Sequence, residues 1–124
     1  MVSVFDTRPC SLGEGPLWHP LRGELFWFDI NAHQLLSKTA VWQFDEYVSA
    51  AGWISKDELL VASESQLFRF HLGDQTQTKI CDLEANNPIT RSNDGRCDPQ
   101  GGFWIGTMGK KAEAKAGAIY RYYQ

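Results

Sequence analysis

Arg91-Ser92-Asn93-Asp94-Gly95-Arg96-Cys97-Asp98-Pro99-Gln100-Gly101-Gly102-Phe103-Trp104-Ile105-Gly106-Thr107-Met108 is the stretch whose reading decides the fold. It opens with Arg91, Asn93 and Asp94 crowded together. It then turns at Asp98-Pro99-Gln100-Gly101-Gly102, where proline fixes one φ and the glycines free others. Phe103-Trp104-Ile105 has the composition of a buried strand. The polar cluster therefore sits at one end of a hairpin, on a rigid apolar element, where binding sites are commonly built.

Working outward, the same order recurs. Glu24-Leu25-Phe26-Trp27-Phe28-Asp29-Ile30 is a strand apolar on both faces, which predicts burial between layers. The turn Asn31-Ala32-His33 and the short strands Gln34–Ser37 and Val41–Phe44 follow it. A second set runs through Ala50–Ile54, Glu58–Ala62, Gln66–Phe70 and Thr76–Cys81. The opening stretch begins a third, which continues through Gly117–Tyr122. Leu25 and Leu59 are 34 residues apart, and Leu59 and Phe103 are 44 apart. The polar linker Glu84–Pro88 absorbs the difference. Short strands in sets of four at roughly 40 residues are the signature of an all-β propeller. Val2-Ser3-Val4-Phe5 alternates and is a further strand candidate, and Lys110–Lys115 reads as a solvated loop. Three sets do not close a ring, because propellers need at least about four.

The chain has 124 residues, a formal net charge of −3 and no basic run. That argues against a nucleic-acid partner, since phosphate binding needs a concentrated cationic face. No apolar run approaches the roughly 20 residues that span a bilayer, and Met1–Asp6 does not resemble a leader peptide. Cys10, Cys81 and Cys97 are odd in number and lack CxxC spacing, so a reducing, cytoplasmic setting is expected. The five Trp are expected in the core, and His19, His33 and His71, each beside a turn or strand end, on the surface.

Gly13-Glu14-Gly15-Pro16-Leu17-Trp18, Arg91-Ser92-Asn93-Asp94-Gly95, Gly102-Phe103-Trp104-Ile105-Gly106-Thr107-Met108 and Gly117-Ala118-Ile119-Tyr120 together resemble the SMP-30/gluconolactonase/regucalcin family. The motifs occur in the family's order and cover residues 1–124 as the N-terminal half of its pattern. The resemblance implies a six-bladed β-propeller of which about three blades are present. It implies a divalent metal, calcium or zinc, at the channel mouth and hydrolysis of a sugar lactone. Glu14 matches a metal ligand, and Arg91 and Asn93 match the substrate-binding pair. The other metal ligands and the general base belong to the family's second half, so no catalytic base is assigned here. Where some members carry an acidic substrate contact after Gly-Thr-Met, this chain has Lys110-Lys111.

The chemistry suits that reading. A lactone carbonyl needs a Lewis acid and an activated water, and a hard cation with oxygen ligands polarises it. Arg91 offers a two-pronged contact, and Asn93 a donor and an acceptor together. Asp94 is placed behind them, where it orients Arg91 or simply caps the turn. From the residues alone, a surface glutamate in a glycine-rich turn is the better reading of Glu14, and a tight turn that of Asn93-Asp94-Gly95. A non-catalytic propeller acting as an interaction module is the competing class. A homodimer offers one way to close the ring, with Val2–Phe5 of each copy completing the third blade of the other. A chain whose remainder lies elsewhere is the duller account.

Overall fold

The computed structural model describes residues 1–123. The described residues form strands and turns, with no helix. Three antiparallel sheets follow one another along the chain. The first holds β1 (Gly13–His19), β2 (Glu24–Asp29), β3 (Gln34–Ser37) and β4 (Val41–Gln43). The second holds β5 (Val48–Trp53), β6 (Glu58–Ser63), β7 (Gln66–His71) and β8 (Gln77–Asp82). The third holds β9 (Thr90–Cys97), β10 (Phe103–Gly109) and β11 (Ile119–Tyr122). Each strand pairs with its neighbours in sequence, as short turns dictate. Strands β1, β5 and β9 lie side by side, so every sheet contributes its first strand to a common inner wall. This is the arrangement expected of part of a propeller.

Burial follows the pleat. In β2, Phe26 and Phe28 point between the first and second sheets and are fully buried, as are Leu35, Leu59 and Val61 around them. Ala50, Leu60, Ala62, Leu67, Phe103 and Ile105 fill the space between the second and third sheets. The second sheet is covered on both faces, which explains its run of small residues. A Cβ at Gly52 would collide with the Cys97 sulfur. All three cysteines are free thiols.

Four expectations are corrected. Val2–Phe5 forms no strand within the chain. Phe5 packs edge-on against Trp27 at 6.1 Å instead. Arg8 holds it there by pairing with Asp6 at 2.9 Å and donating to the Ser37 carbonyl at 2.7 Å. The segment thus covers the outer face of β2, which alternation alone made look like a second buried layer. His19 is fully buried rather than exposed. Its Nε2 donates to the Ser55 carbonyl at 2.8 Å and its ring stacks on Trp53 at 5.4 Å, tying the first sheet to the second. The Trp residues are not all core, since Trp18, Trp53 and Trp104 are exposed and Trp42 is buried. Finally, Asn93-Asp94-Gly95 is not a turn but lies inside β9.

Candidate functional site

The site is built by three bulges. Between Glu14 and Leu17, β1 carries one residue more than β2 opposite it. Between Val48 and Ala50, β5 carries one more than β6, at Ser49. Between Ser92 and Gly95, β9 carries one more than β10, so Asn93 and Asp94 share the place opposite Gly106. A bulge bends a strand and re-aims its side chains. Here all three occur on inner strands, and the middle one, at Ser49, touches the other two. Gly15, at φ 63°, lets its backbone approach the Ser49 carbonyl oxygen, where a Cβ would collide. Pro16 is tolerated because a bulge asks for no ladder donor. Ser49 Oγ donates to Ser92 Oγ at 2.7 Å, both side chains fully buried.

Each sequence-predicted residue sits on or beside one of these bulges. Glu14 is exposed near the start of β1, paired through its backbone with Phe28. The chain leading to it is fixed by Asp29, whose buried carboxylate accepts the Ser11 N–H at 2.9 Å and the Leu12 N–H at 3.0 Å. Arg91 is 6% exposed. Its Nη1 donates to the Ser92 carbonyl at 2.8 Å and to Asn93 Oδ1 at 3.3 Å. Asn93, not Asp94, therefore orients the guanidinium. Asp94 is exposed and lines a concavity of about 760 Å³ that runs along the inner strands from Gly15 to Trp53 and Phe103. Glu14, Arg91 and Asn93 do not line it; Glu14 instead lines a smaller hollow of about 360 Å³ with Phe5, Arg8 and Trp27.

Two further side chains lie beside Arg91, of which the sequence reading singles out Lys110 but not Tyr47. Tyr47, just before β5, presents its ring to the Arg91 guanidinium at 5.9 Å. Lys110, just after β10, lies 5.7 Å from the same ring. An isolated Tyr at a strand end carries no pattern that singles it out. Burial pulls the Arg91 guanidinium below its usual pKa, while Tyr47 and Glu14 act in the opposite sense. Glu14 and Arg91 thus feel one another across the rim without a direct bond.

The donor set tests the expected metal. Among the described residues, no three His, Cys, Asp or Glu side chains come together as a cation site. Glu14 suits one ligand of a hard cation, but a single carboxylate falls far short of the six to eight oxygens that calcium takes. These residues do not make a complete metal site.

Comparison with known proteins gives the kinship. Residues 12–124 match the pattern of the SMP-30/Gluconolactonase/LRE-like region. The chain belongs to this family. It is 34% identical over 97% of its length to the putative sugar lactone lactonase YvrE of Bacillus subtilis. It is 37% identical over 88% of its length to a putative sugar lactone lactonase of Rhizobium meliloti. The chain spans 43% and 39% of those two relatives. A solved calcium-binding protein, regucalcin, from Agrobacterium tumefaciens superposes with a TM-score of 0.90 at 39% identity, over 94% of this chain and 41% of the other.

Proposed function

We propose that this chain is the N-terminal half, about three blades, of a six-bladed propeller that hydrolyses a sugar lactone. Membership of a family whose relatives are named lactonases supports the reading. The observation that carries it is the convergence of three bulged inner strands, which bring Glu14, Arg91 and Asn93 from two sheets to one rim around Ser49.

In this reading Glu14 is one ligand of a divalent metal, calcium or zinc. The other ligands and the general base come from outside the described residues. When bound, such an ion would polarise the lactone carbonyl. The chain's own residues do the rest of the binding. Arg91 Nη1 is committed to Ser92 and Asn93, which leaves its Nε–H and Nη2–H groups to donate to ring or hydroxyl oxygens. Asn93 spends Oδ1 on Arg91 and keeps its amide N–H groups for a substrate hydroxyl. Pre-fixed donors of this kind stabilise charge that develops on oxygen without having to reorganise. A complete ring needs further blades, from a longer chain or from a second copy.

The competing reading is a non-catalytic binding module. Calorimetric titration with calcium and with zinc separates the two, alongside pH-stat hydrolysis of glucono-1,5-lactone. Metal binding lost in Glu14→Ala, with hydrolysis lost in Arg91→Ala, supports the lactonase. A wild-type chain that binds neither metal nor lactone supports the module.

A further inference from the structure

Lys110 is a rim cation that the reading above leaves unused. Its backbone N–H donates to the Ile89 carbonyl at 2.8 Å, which sets it beside Thr90 and Arg91 at one end of the third sheet. Glu64, in the turn after β6, holds its ammonium at 2.8 Å. The same glutamate accepts the Tyr47 N–H at 3.3 Å. Glu64 thereby fixes the ammonium and the Tyr47 ring relative to each other. An ammonium carries three donors, and Glu64 occupies one.

Arg91 approaches the same ring, and its described hydrogen bonds go to a carbonyl and an amide oxygen. No carboxylate among the described residues lies within ion-pair distance of it. Glu14 reaches it only through its field. A mostly buried guanidinium without a bonded anion is costly, and a ligand anion relieves that cost. Guanidinium groups match carboxylates and other oxyanions in a fork, and a nearby ammonium adds a point charge.

We propose that Arg91 and Lys110, each within about 6 Å of the Tyr47 ring centroid, form a subsite for an anionic substituent on the lactone. The chain would then favour lactones of sugar acids that carry a second negative group, such as a carboxylate or sulfonate, over neutral ones. This rests on the lactone reading and narrows its substrate class.

The test is an NMR titration of the full chain with glucaro-1,4-lactone, which keeps a free carboxylate, and with neutral glucono-1,5-lactone. Wild type, Lys110→Met and Lys110→Arg are compared, the first variant removing the charge at similar length. The wild type is expected to bind the anionic lactone several-fold more tightly. Lys110→Met should weaken that binding roughly fivefold, the size of one partly screened charge pair, and leave the neutral lactone alone. Lys110→Arg should restore it, and raising salt from about 0.01 M to about 0.15 M should narrow the preference. Equal wild-type binding of both lactones, or equal weakening of both by Lys110→Met, overturns the subsite and leaves the lactone reading standing. Binding of neither lactone sinks the lactone reading and the subsite with it.

Discussion

Ser49 Oγ donates to Ser92 Oγ at 2.7 Å across the junction of the second and third sheets, with both side chains fully buried. Ser92 lies next to Arg91 and passes its own proton toward the Ala62 carbonyl at 3.4 Å. This short chain of hydroxyls fixes the strand from which the guanidinium projects. Ser92→Ala leaves the Ser49 hydroxyl without its acceptor in a dry interior, at a cost of about 1–3 kcal/mol. The double variant Ser49→Ala/Ser92→Ala removes both partners and is expected to cost less than the sum of the singles. Urea unfolding of the four proteins measures this coupling. Strict additivity would show that the pair carries nothing.

Gly15 and Gly23 both have positive φ, at 63° and 59°. They differ in surroundings. A Cβ at Gly15 collides with the Ser49 carbonyl oxygen, whereas nothing lies within 4 Å of one at Gly23. Gly23→Ala should therefore cost only the left-handed backbone penalty, about 1–2 kcal/mol. Gly15→Ala must in addition push β1 away from β5, and should cost at least about 2 kcal/mol more. Thermal unfolding of both variants gives the comparison. Equal losses would mean that β1 and β5 are free to separate.

His19 joins two sheets through one hydrogen bond and one stacked ring. Its Nε2 donates, so Nδ1 is a buried acceptor with no donor among the described residues. His19→Ala opens a cavity and strands the Ser55 carbonyl, with an expected loss of about 3 kcal/mol. His19→Gln keeps a donor without the ring and should recover part of it. Trp53 fluorescence reports the change, because its stacking partner disappears.

Asp98 organises the hairpin between β9 and β10. Its carboxylate accepts Arg121 Nε at 2.9 Å, Gly102 N at 2.8 Å, Trp104 Nε1 at 2.8 Å and Gln100 N at 2.9 Å. The Arg121 guanidinium first, then these N–H groups, hold its pKa well below the ordinary 3.8. A depressed carboxylate stabilises above its unfolded pKa, and that contribution is lost as pH falls toward the folded value. The hairpin should accordingly be indifferent to pH above about 4 and weaken progressively below it. Asp98→Asn should flatten this acid dependence and release the indole N–H, visible in Trp104 fluorescence. An unchanged acid profile in Asp98→Asn would refute the assignment.

The strands were legible because their alternation and turns are local. Phe26 and Phe28 against Glu24 and Asp29, or Asp98-Pro99 before Phe103, need no knowledge of distant residues. The errors arose where a distant partner decides. Val2–Phe5 alternates like a strand, but Arg8 and Ser37 draw it across the face of Trp27. His19 looks exposed beside Pro20, but the Ser55 carbonyl, on a turn 36 residues away, buries it. Trp104 lies in an apolar run, yet its indole edge turns outward to Asp98. At the site, Glu14, Arg91 and Asn93 are singled out by motif resemblance alone. The bulge that splits Asn93 from Asp94 is not, because a short polar run reads alike in a turn and in a widened strand.

The rim draws on all three sheets. Glu14 comes from the first, Tyr47 introduces the second, and Arg91 and Lys110 belong to the third. Within each sheet the pairing is between sequence neighbours, so each can zip up as soon as its own residues leave the ribosome. The rim cannot. It comes into being only when the last sheet docks, and it vanishes when any sheet swings away, long before a strand unpairs. Ligand binding at the proposed rim would therefore gauge docking between sheets, and a small molecule held there would act as the clasp that keeps them together.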